Sequence, residues 1–474
     1  MHKIISINNP YIWIAIVLCC TAIVFFSCAT EQKATERNRQ SVENEASTIA
    51  AKLQADPDNQ TLRFILAQRL FEIGNFQQSE ETLQPLLEEK PSVEVLWLSA
   101  NLEFLAGHYS TAEDQLFRIK EHKKATSEQK VQADIGLCFV YYQTGEYFKS
   151  HKILIGLDGK IEMPLWDLMK SFGEDRPYQI EWSPDSYTEI PFLLNDPLPV
   201  ISVEINGTPI YVIIDTGADS FYLDEKLTGS LGIEPVTQIT SDVFAGGKES
   251  TIGFARIDSL KIGNVILHSV PIRTGQISRF TEMVSNDDFP ISGVLSTGDL
   301  RQFLSTIDYP NRKLVLRPKT RQARSQLDKE NESRNVNEIP FWLAQTHLMI
   351  VNGAVNGHEN MNFFTDSGLA HNEAGLLFHK QTLEYLGIPL HVMEKTSEND
   401  GGPGGGGFGV GSFSVPSFEI DGLIQKDAAG LVGVMPDSLY WLCDFIIDGI
   451  VSHRFLQKYS WTIDFDARTM IFAE

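Results

Sequence analysis

The stretch VIIDTGADS, residues 212–220, ends an apolar run in Asp-Thr-Gly. One such tripeptide is common. A second run, FFTDSGLA at 363–370, ends in Asp-Ser-Gly in the same way. The flanks of the two also match. EIPFLLNDPLPVISVEINGTPIYVIIDTGADS starts at Glu189, and EIPFWLAQTHLMIVNGAVNGHENMNFFTDSGLA starts at Glu338. Each reads EIPF, an apolar strand, an Asn-Gly turn, a second apolar strand, and then the Asp tripeptide. Asn206-Gly207 and Asn356-Gly357 are strong hairpin signals, because that turn needs two residues with positive φ.

The correspondence runs on. LGIEP (231–235) answers LGIPL (386–390), and LKIGNVIL (260–267) answers FEIDGLIQ (418–425). ISGVLS (291–296) answers IDGIVS (447–452), and both copies close on a β-rich run with a turn, STIDYPNRKLVLRP and WTIDFDARTMIFAE. A β-domain is therefore written twice, at 186–318 and 336–474. The polar segment 319–335 between them reads as a linker. A pseudo-twofold arrangement would bring Asp215 and Asp366 together at its axis. Gly217 and Gly368 permit the tight turns, and the Thr216 or Ser367 hydroxyl can bond across to the partner loop. Two carboxylates at close range cannot both ionise cheaply, so the pair shares a proton. Such a pair holds a general base and a general acid in one site.

On these motifs, residues 186–474 resemble the aspartyl proteases. Each half is similar to a retropepsin lobe, and the fused pair resembles the bilobal pepsin arrangement. The resemblance implies that Asp215 and Asp366 are catalytic, supported by Thr216, Gly217, Ser367 and Gly368. It implies that Ile291-Ser292-Gly293 and Ile447-Asp448-Gly449 pack beneath the loops, which makes Gly293 and Gly449 supporting residues. A flap is expected in TSDVFAGGKESTIG (240–253), around Phe244, Gly246 and Gly247, with Phe408 of ENDGGPGGGGFGVG (398–411) as its counterpart. Leu369 is larger than the residue usual after such a tripeptide. The implied substrate is a peptide or protein, hydrolysed with no cofactor and no metal, and no oligomer is required. Two rivals stand beside this reading. One is an inactive peptide-binding scaffold of the same fold. The other is a lobe-swapped assembly in which each Asp pairs with one from another molecule. Asp308 and Asp464 read as turn residues, Asp219 and Asp299 as solvated or capping groups, and Asp448 as structural.

Residues 51–160 carry a different pattern. Gly74, Gly107 and Gly145 are each followed two places on by an aromatic (Phe76, Tyr109, Tyr147) and five places on by a small residue (Ser79, Ala112, Ser150). LRFILAQRLFEIG and VLWLSANLEFLAG read as amphipathic helices before the first two glycines. A period of about 34 residues with these features resembles tetratricopeptide (TPR) repeats, which implies a protein partner; a spacer is the alternative. Trp97 and Tyr141 read as helix-pair core, and 161–185 as a linker.

At the N-terminus, YIWIAIVLCCTAIVFFSC (11–28) follows a weakly positive start. Two readings fit: an export signal whose Phe25-Phe26-Ser27-Cys28 resembles a bacterial lipobox, with Cys28 lipidated, or an uncleaved membrane anchor over 11–26. Either gives an exported chain attached to a membrane, with 28–50 as a polar tether. The net charge of −23 at pH 7, with no Lys/Arg block, argues against a nucleic-acid partner. The Gly-rich run at 401–411 lacks the GK[ST] ending of a phosphate loop, and the histidines form no HExxH pair. Beyond the signal only Cys28, Cys138 and Cys443 remain, too few for a disulfide framework. The fold class is then multidomain: all-α TPR-like hairpins followed by a mainly-β bilobal aspartic protease fold.

Overall fold

The computed structural model describes residues 37–474 except 89, 158–162, 184–186, 243–248, 278–280, 282–283, 285–287, 372, 390–393, 396–408, 436 and 442–443. Cys28, Phe244, Gly246, Gly247, Phe408 and Cys443 lie outside the described residues.

The first part is helical: α1 (Arg39–Ala55), α2 (Gln60–Glu72), α3 (Phe76–Leu83), α4 (Val93–Ala106), α5 (Tyr109–Glu121), α6 (Ser127–Thr144), α7 (Tyr147–Leu157) and α8 (Pro164–Ser171). Each helix packs on the next in sequence. Gly74, Gly107 and Gly145 follow α2, α4 and α6 with φ of 76°, 83° and 67°, a region open to glycine at little cost. After each, the next N–H turns back to the helix: Asn75 to Leu70 O, His108 to Glu103 O and Glu146 to Tyr141 O, all at 2.9 Å. This closing bond satisfies carbonyls that a helix end leaves open. Phe76, Tyr109 and Tyr147 open the following helices. Ser79, Ala112 and Ser150 are fully buried where those helices meet their partners.

Helical structure extends beyond the expected limits on both sides. The expected tether at 28–50 contains most of α1, capped by the Asn38 side chain, which accepts from Ser41 N at 3.0 Å. Its buried stripe is only Arg39, Val42 and Ala46, too weak in hydrophobicity to stand out of a polar segment. The expected linker 161–185 contains α8, whose Leu165, Trp166, Leu168 and Met169 are buried, and a strand, Gln179–Trp182. The expected linker 319–335 contains the helix Arg321–Asn331, where Leu327 is the buried residue. Among the described residues no helix is long and apolar enough to cross a membrane.

The β-rich part contains β1 (Gln179–Trp182), β2 (Thr188–Pro191), β3 (Val200–Ile205), β4 (Thr208–Asp215), β5 (Phe221–Asp224), β6 (Thr237–Asp242), β7 (Glu249–Ile262), β8 (Val265–Gly275), β9 (Ile291–Ser296), β10 (Leu304–Asp308) and β11 (Lys313–Arg317). It continues with β12 (Val336–Pro340), β13 (Trp342–Ala344), β14 (Leu348–Val355), β15 (His358–Asp366), β16 (Leu376–Phe378), β17 (Glu394–Lys395), β18 (Gly409–Ile420), β19 (Leu423–Val432), β20 (Gly449–Ser452), β21 (Ser460–Asp464) and β22 (Thr469–Ala473). Two eight-stranded sheets share one pairing scheme. In the first, β3-β4-β9-β5-β8-β7 closes back on β3; in the second, β14-β15-β20-β16-β19-β18 closes back on β14. The parallel pairs fall at the same places, β4 with β9 and β15 with β20, then β5 with β8 and β16 with β19. Both Asn-Gly turns have the two positive φ values that a twist-matched hairpin needs: Asn206 49° and Gly207 81°, Asn356 51° and Gly357 83°.

A third sheet, β12-β22-β21-β10-β11-β2, takes three strands from each half. The halves meet where β10 runs antiparallel to β21, with Thr306 opposite Thr462 and their hydroxyls 2.7 Å apart. Asp308 and Asp464 close the two hairpins of this sheet by accepting turn N–H groups, Asn311 N at 3.2 Å and Ala467 N at 3.0 Å.

The helical part is fused to the second sheet by a buried charge pair. Arg39 Nε donates to Asp448 Oδ1 at 2.8 Å, and Asp448 Oδ2 accepts Asn362 N at 2.8 Å. Arg39 and Asn362 both donate to Ile73 O, at 3.2 and 2.8 Å, and Ile446 N donates to Glu72 O at 2.8 Å. Arg39 is 1% exposed and Asp448 0%, so neither charge has water to fall back on. Removing one partner strands the other. Arg39→Ala is therefore expected to lower stability by about 3–5 kcal/mol. Chemical denaturation checks this, with Arg39→Met/Asp448→Asn recovering part of the loss.

Candidate functional site

Asp215 is the last residue of β4 and Asp366 the last of β15, each followed by a sharp turn. Each carboxylate takes the N–H two residues on: Gly217 N to Asp215 Oδ1 at 2.7 Å and Gly368 N to Asp366 Oδ1 at 2.8 Å. The turns cross. Thr216 N donates to Ser367 Oγ at 3.0 Å, and Ser367 N donates to Thr216 Oγ1 at 3.0 Å. The hydroxyls donate onward to the opposite strand, Thr216 Oγ1 to Thr365 O and Ser367 Oγ to Ile214 O, both at 3.2 Å. Each hydroxyl thus accepts one bond and donates one across the same axis.

The crossing forces the carboxylates together. A Cβ added at Gly217 would lie 2.5 Å from Asp366 Oδ2, and one at Gly368 2.1 Å from Asp215 Cγ. No real side chain fits there, so both positions require glycine. Asp215 and Asp366 are both 0% exposed. Burial, and then the charge of Asp215, hold the Asp366 carboxyl well above the usual carboxylate range. The pair therefore carries a proton at pH values where an exposed aspartate has lost it.

The structure puts Gly293 and Gly449 elsewhere than beneath the turns. Gly293 pairs with Val212 and Gly449 with Phe363, three residues before the respective aspartates. A Cβ at Gly293 would meet Val212 and Phe221, and one at Gly449 would meet Phe378. Both glycines make room in the strand packing. The residues level with Asp215 and Asp366 are Ser296 and Ser452. Support comes from the residues just beyond. Thr297 N donates to Ala218 O at 3.0 Å and Thr297 Oγ1 to Thr216 O at 2.8 Å. In the second half His453 N donates to Leu369 O at 3.2 Å. The His453 ring is held neutral by burial, which pushes it down to about 3, and lies 5.1 Å from the Tyr309 ring. Tyr309 faces Ser367 and Asp366, and burial pushes its phenol up. Leu369 is buried in the core shared with the helices.

Asp219 is neither solvated nor a cap. It forms a buried ion pair with Arg273, whose guanidinium lies over the Phe254 ring. Asp299 is a cap, but a buried one: its Oδ2 accepts Ser296 N at 2.9 Å and Ser296 Oγ at 2.7 Å, and burial pushes it up to about 7. His371 accepts Ala374 N at 2.9 Å within its own loop. His347, from the turn between β13 and β14, is buried near the Gly217 backbone, and burial lowers it to about 4. Nothing in the sequence marks His347, Arg273 or Tyr309, which act through contacts distant along the chain. Thr297 sits directly after ISGVLS and could have been found from the repeat.

Away from this site, Tyr141 is helix-pair core, its hydroxyl donating to Glu113 at 2.7 Å. Trp97 is half-buried against the same core, and it also lines a cavity of about 310 Å³ between α2, α4 and α6, with Phe64, Gln68, Asn101, Gln132, Trp441 and Asp444.

Residues 201–287 match the aspartyl protease family, so the first β-unit contains an aspartyl-protease-like domain. A retropepsin-like aspartic protease from Rickettsia conorii is similar at 17% identity, over 30% of this chain and 93% of that one, with a TM-score of 0.21. No curated protein matches the chain.

Two outcomes are expected. Ser367→Ala leaves the buried Thr216 N–H without its acceptor and should cost about 1–3 kcal/mol, while Ser367→Thr stays near the parent; thermal unfolding checks both. The raised Asp366 pKa means the native state holds a proton that the unfolded chain releases. Its contribution is complete below the ordinary carboxylate value and is lost as pH rises toward the folded one. Asp366→Asn should remove that slope from unfolding free energy measured against pH.

Proposed function

We propose that the two β-units are the lobes of an aspartic endopeptidase, with Asp215 and Asp366 as its catalytic pair. The observation that carries this is the crossed pair of turns, which presses two buried carboxylates together and leaves one proton between them. In the reaction, the ionised carboxylate takes a proton from a water as its oxygen attacks the peptide carbonyl carbon. The protonated carboxyl gives its proton to the carbonyl oxygen. The tetrahedral diol then collapses, the C–N bond breaks, and the nitrogen leaves with a proton from the pair. No covalent enzyme intermediate forms. The Gly217 and Gly368 N–H groups each hold one oxygen, Oδ1, of a carboxylate, which leaves Oδ2 of each for the proton exchange.

The helical region is read as TPR-like, recruiting a substrate or partner protein, and the cavity walled by α2, α4 and α6 supports that reading. Export and membrane attachment through Cys28 complete the proposal; Cys28→Ala should abolish labelling by a radioactive fatty acid. The total burial of both aspartates favours a second reading, a peptide-binding scaffold that does not cut.

Asp215→Asn and Asp366→Asn versions are to be incubated beside the parent with a diverse peptide library from pH 4 to 8, with products read by mass spectrometry. Cuts lost in both variants, with folding intact, are the expected result. Cuts that persist in both would overturn the assignment. Peptides retained by the parent but never cut would select the scaffold.

A further inference from the structure

The two halves are not held alike from outside. The one-turn helix Thr297–Leu300 supports the Asp215 turn, and it ends in Arg301. Arg301 is buried, its guanidinium lies over the Tyr142 ring with 5.0 Å to the centroid, and it donates to Tyr142 O at 3.4 Å. It also donates to Gln143 Oε1. Tyr142 and Gln143 belong to the last turn of α6, in the helical region. The amide of Gln143 reaches the other half as well: Nε2 donates to Gln345 O at 2.6 Å and to Thr346 O at 3.2 Å. Thr346 Oγ1 lies 2.8 Å from His347 Nδ1, and the buried His347 ring is near the Gly217 backbone.

One side chain therefore grips two structures that border the Asp215 turn from outside the partner loop. Through Arg301 it holds the helix whose Thr297 makes two bonds to that turn. Through the 345–347 turn it holds the histidine on the other side. Among the described residues no helical side chain is hydrogen-bonded to the segment that supports the Asp366 turn in this way; its tie to the helices is the apolar packing of Leu369. Gln457 stands where Arg301 stands in the first half, closing its own one-turn helix with Gln457 N to His453 O at 2.8 Å. His453 replaces Thr297 and gives its turn a single backbone bond. Three charged neighbours, Asp219, Arg273 and Asp299, are buried in the same region.

We propose that Gln143 of the helical region is a positioning residue for Asp215, acting through Arg301–Thr297 and through His347. This rests on Asp215 and Asp366 being the catalytic pair. The helical region then does more than recruit: whatever shifts the end of α6 shifts one carboxylate against the other, and a ligand of the helices modulates turnover through Asp215.

The test is Gln143→Ala in the full chain, with Gln457→Ala as the mirror control. Two readouts are needed. The first is carboxyl-carbon NMR titration, in which the signals of the pair are identified by their loss in Asp215→Asn and Asp366→Asn. The second is kcat and KM on a peptide the parent cuts. Gln143→Ala should move the upper titration of the pair by about half a pH unit or more and lower kcat about tenfold, with KM within about twofold. Gln457→Ala should change neither. Loss of stability with an unmoved titration and kcat would make Gln143 merely structural and overturn the proposal, as would equal effects from Gln457→Ala. If Gln143→Ala does not fold, Arg301→Lys breaks the same link while keeping the charge, and is read by the same criteria. A parent that cuts nothing would sink the proteolytic reading, but the titration would still decide whether Gln143 sets the geometry of the pair.

Discussion

Four hydrogen bonds between the turns at Thr216 and Ser367 organise everything around them. Each hydroxyl must stand under the partner's amide while pointing at the partner's strand. That requirement fixes the distance between the strands ending in Asp215 and Asp366. It also explains why glycine follows each hydroxyl residue, since the opposing carboxyl fills the space a side chain would need. The antiparallel sheet shared by the two halves meets the same constraint at its own centre, where Thr306 and Thr462 touch across the β10–β21 junction. The axis between the halves is therefore pinned at two levels by pairs of hydroxyls. Such bonds are directional, so they specify alignment where apolar contacts alone would tolerate sliding.

Around that axis the symmetry of the strands is close and the symmetry of the side chains is not. Thr297 and His453 occupy matching places but support their turns differently. Tyr309 stands where the second half has Phe465, which puts a phenol beside Ser367 with no counterpart. A duplicated framework can thus hold two chemically identical groups in unequal surroundings. Unequal surroundings are what two carboxylates need in order to take unlike protonation states.

Much of this was legible in the chain because it was written twice. The tripeptides, the Asn-Gly turns and the closing strands recur in order, and recurrence separates a pattern from a coincidence. The three glycines of the helical region declared themselves in the same way. What stayed hidden depends on facts that no local pattern carries. The place of Gly293 and Gly449 hinged on parallel register, which sequence spacing does not fix. The helix α1 buries an arginine, a valine and an alanine, so its inner face has no hydrophobic signature. The Asp219–Arg273 pair joins the loop after Asp215 to a strand 54 positions on, and polar residues there read naturally as surface. Gln143 looks like any other amide at a helix end until both of its partners are known.

The Arg39–Asp448 pair also bears on the order in which the molecule can form. Its partners are separated by 409 positions, so α1 finds its counter-charge only when the strands of the second half are being made. The shared sheet has the same timing, because β21 and β22 come after every strand of the first half. Contacts of such long range are slow to close and come late in assembly. The aspartate pair cannot be assembled in a nascent fragment that holds only the first half. A chain built this way keeps Asp215 and Asp366 apart until the strands of its second half have been made, and brings them together only when both halves are present.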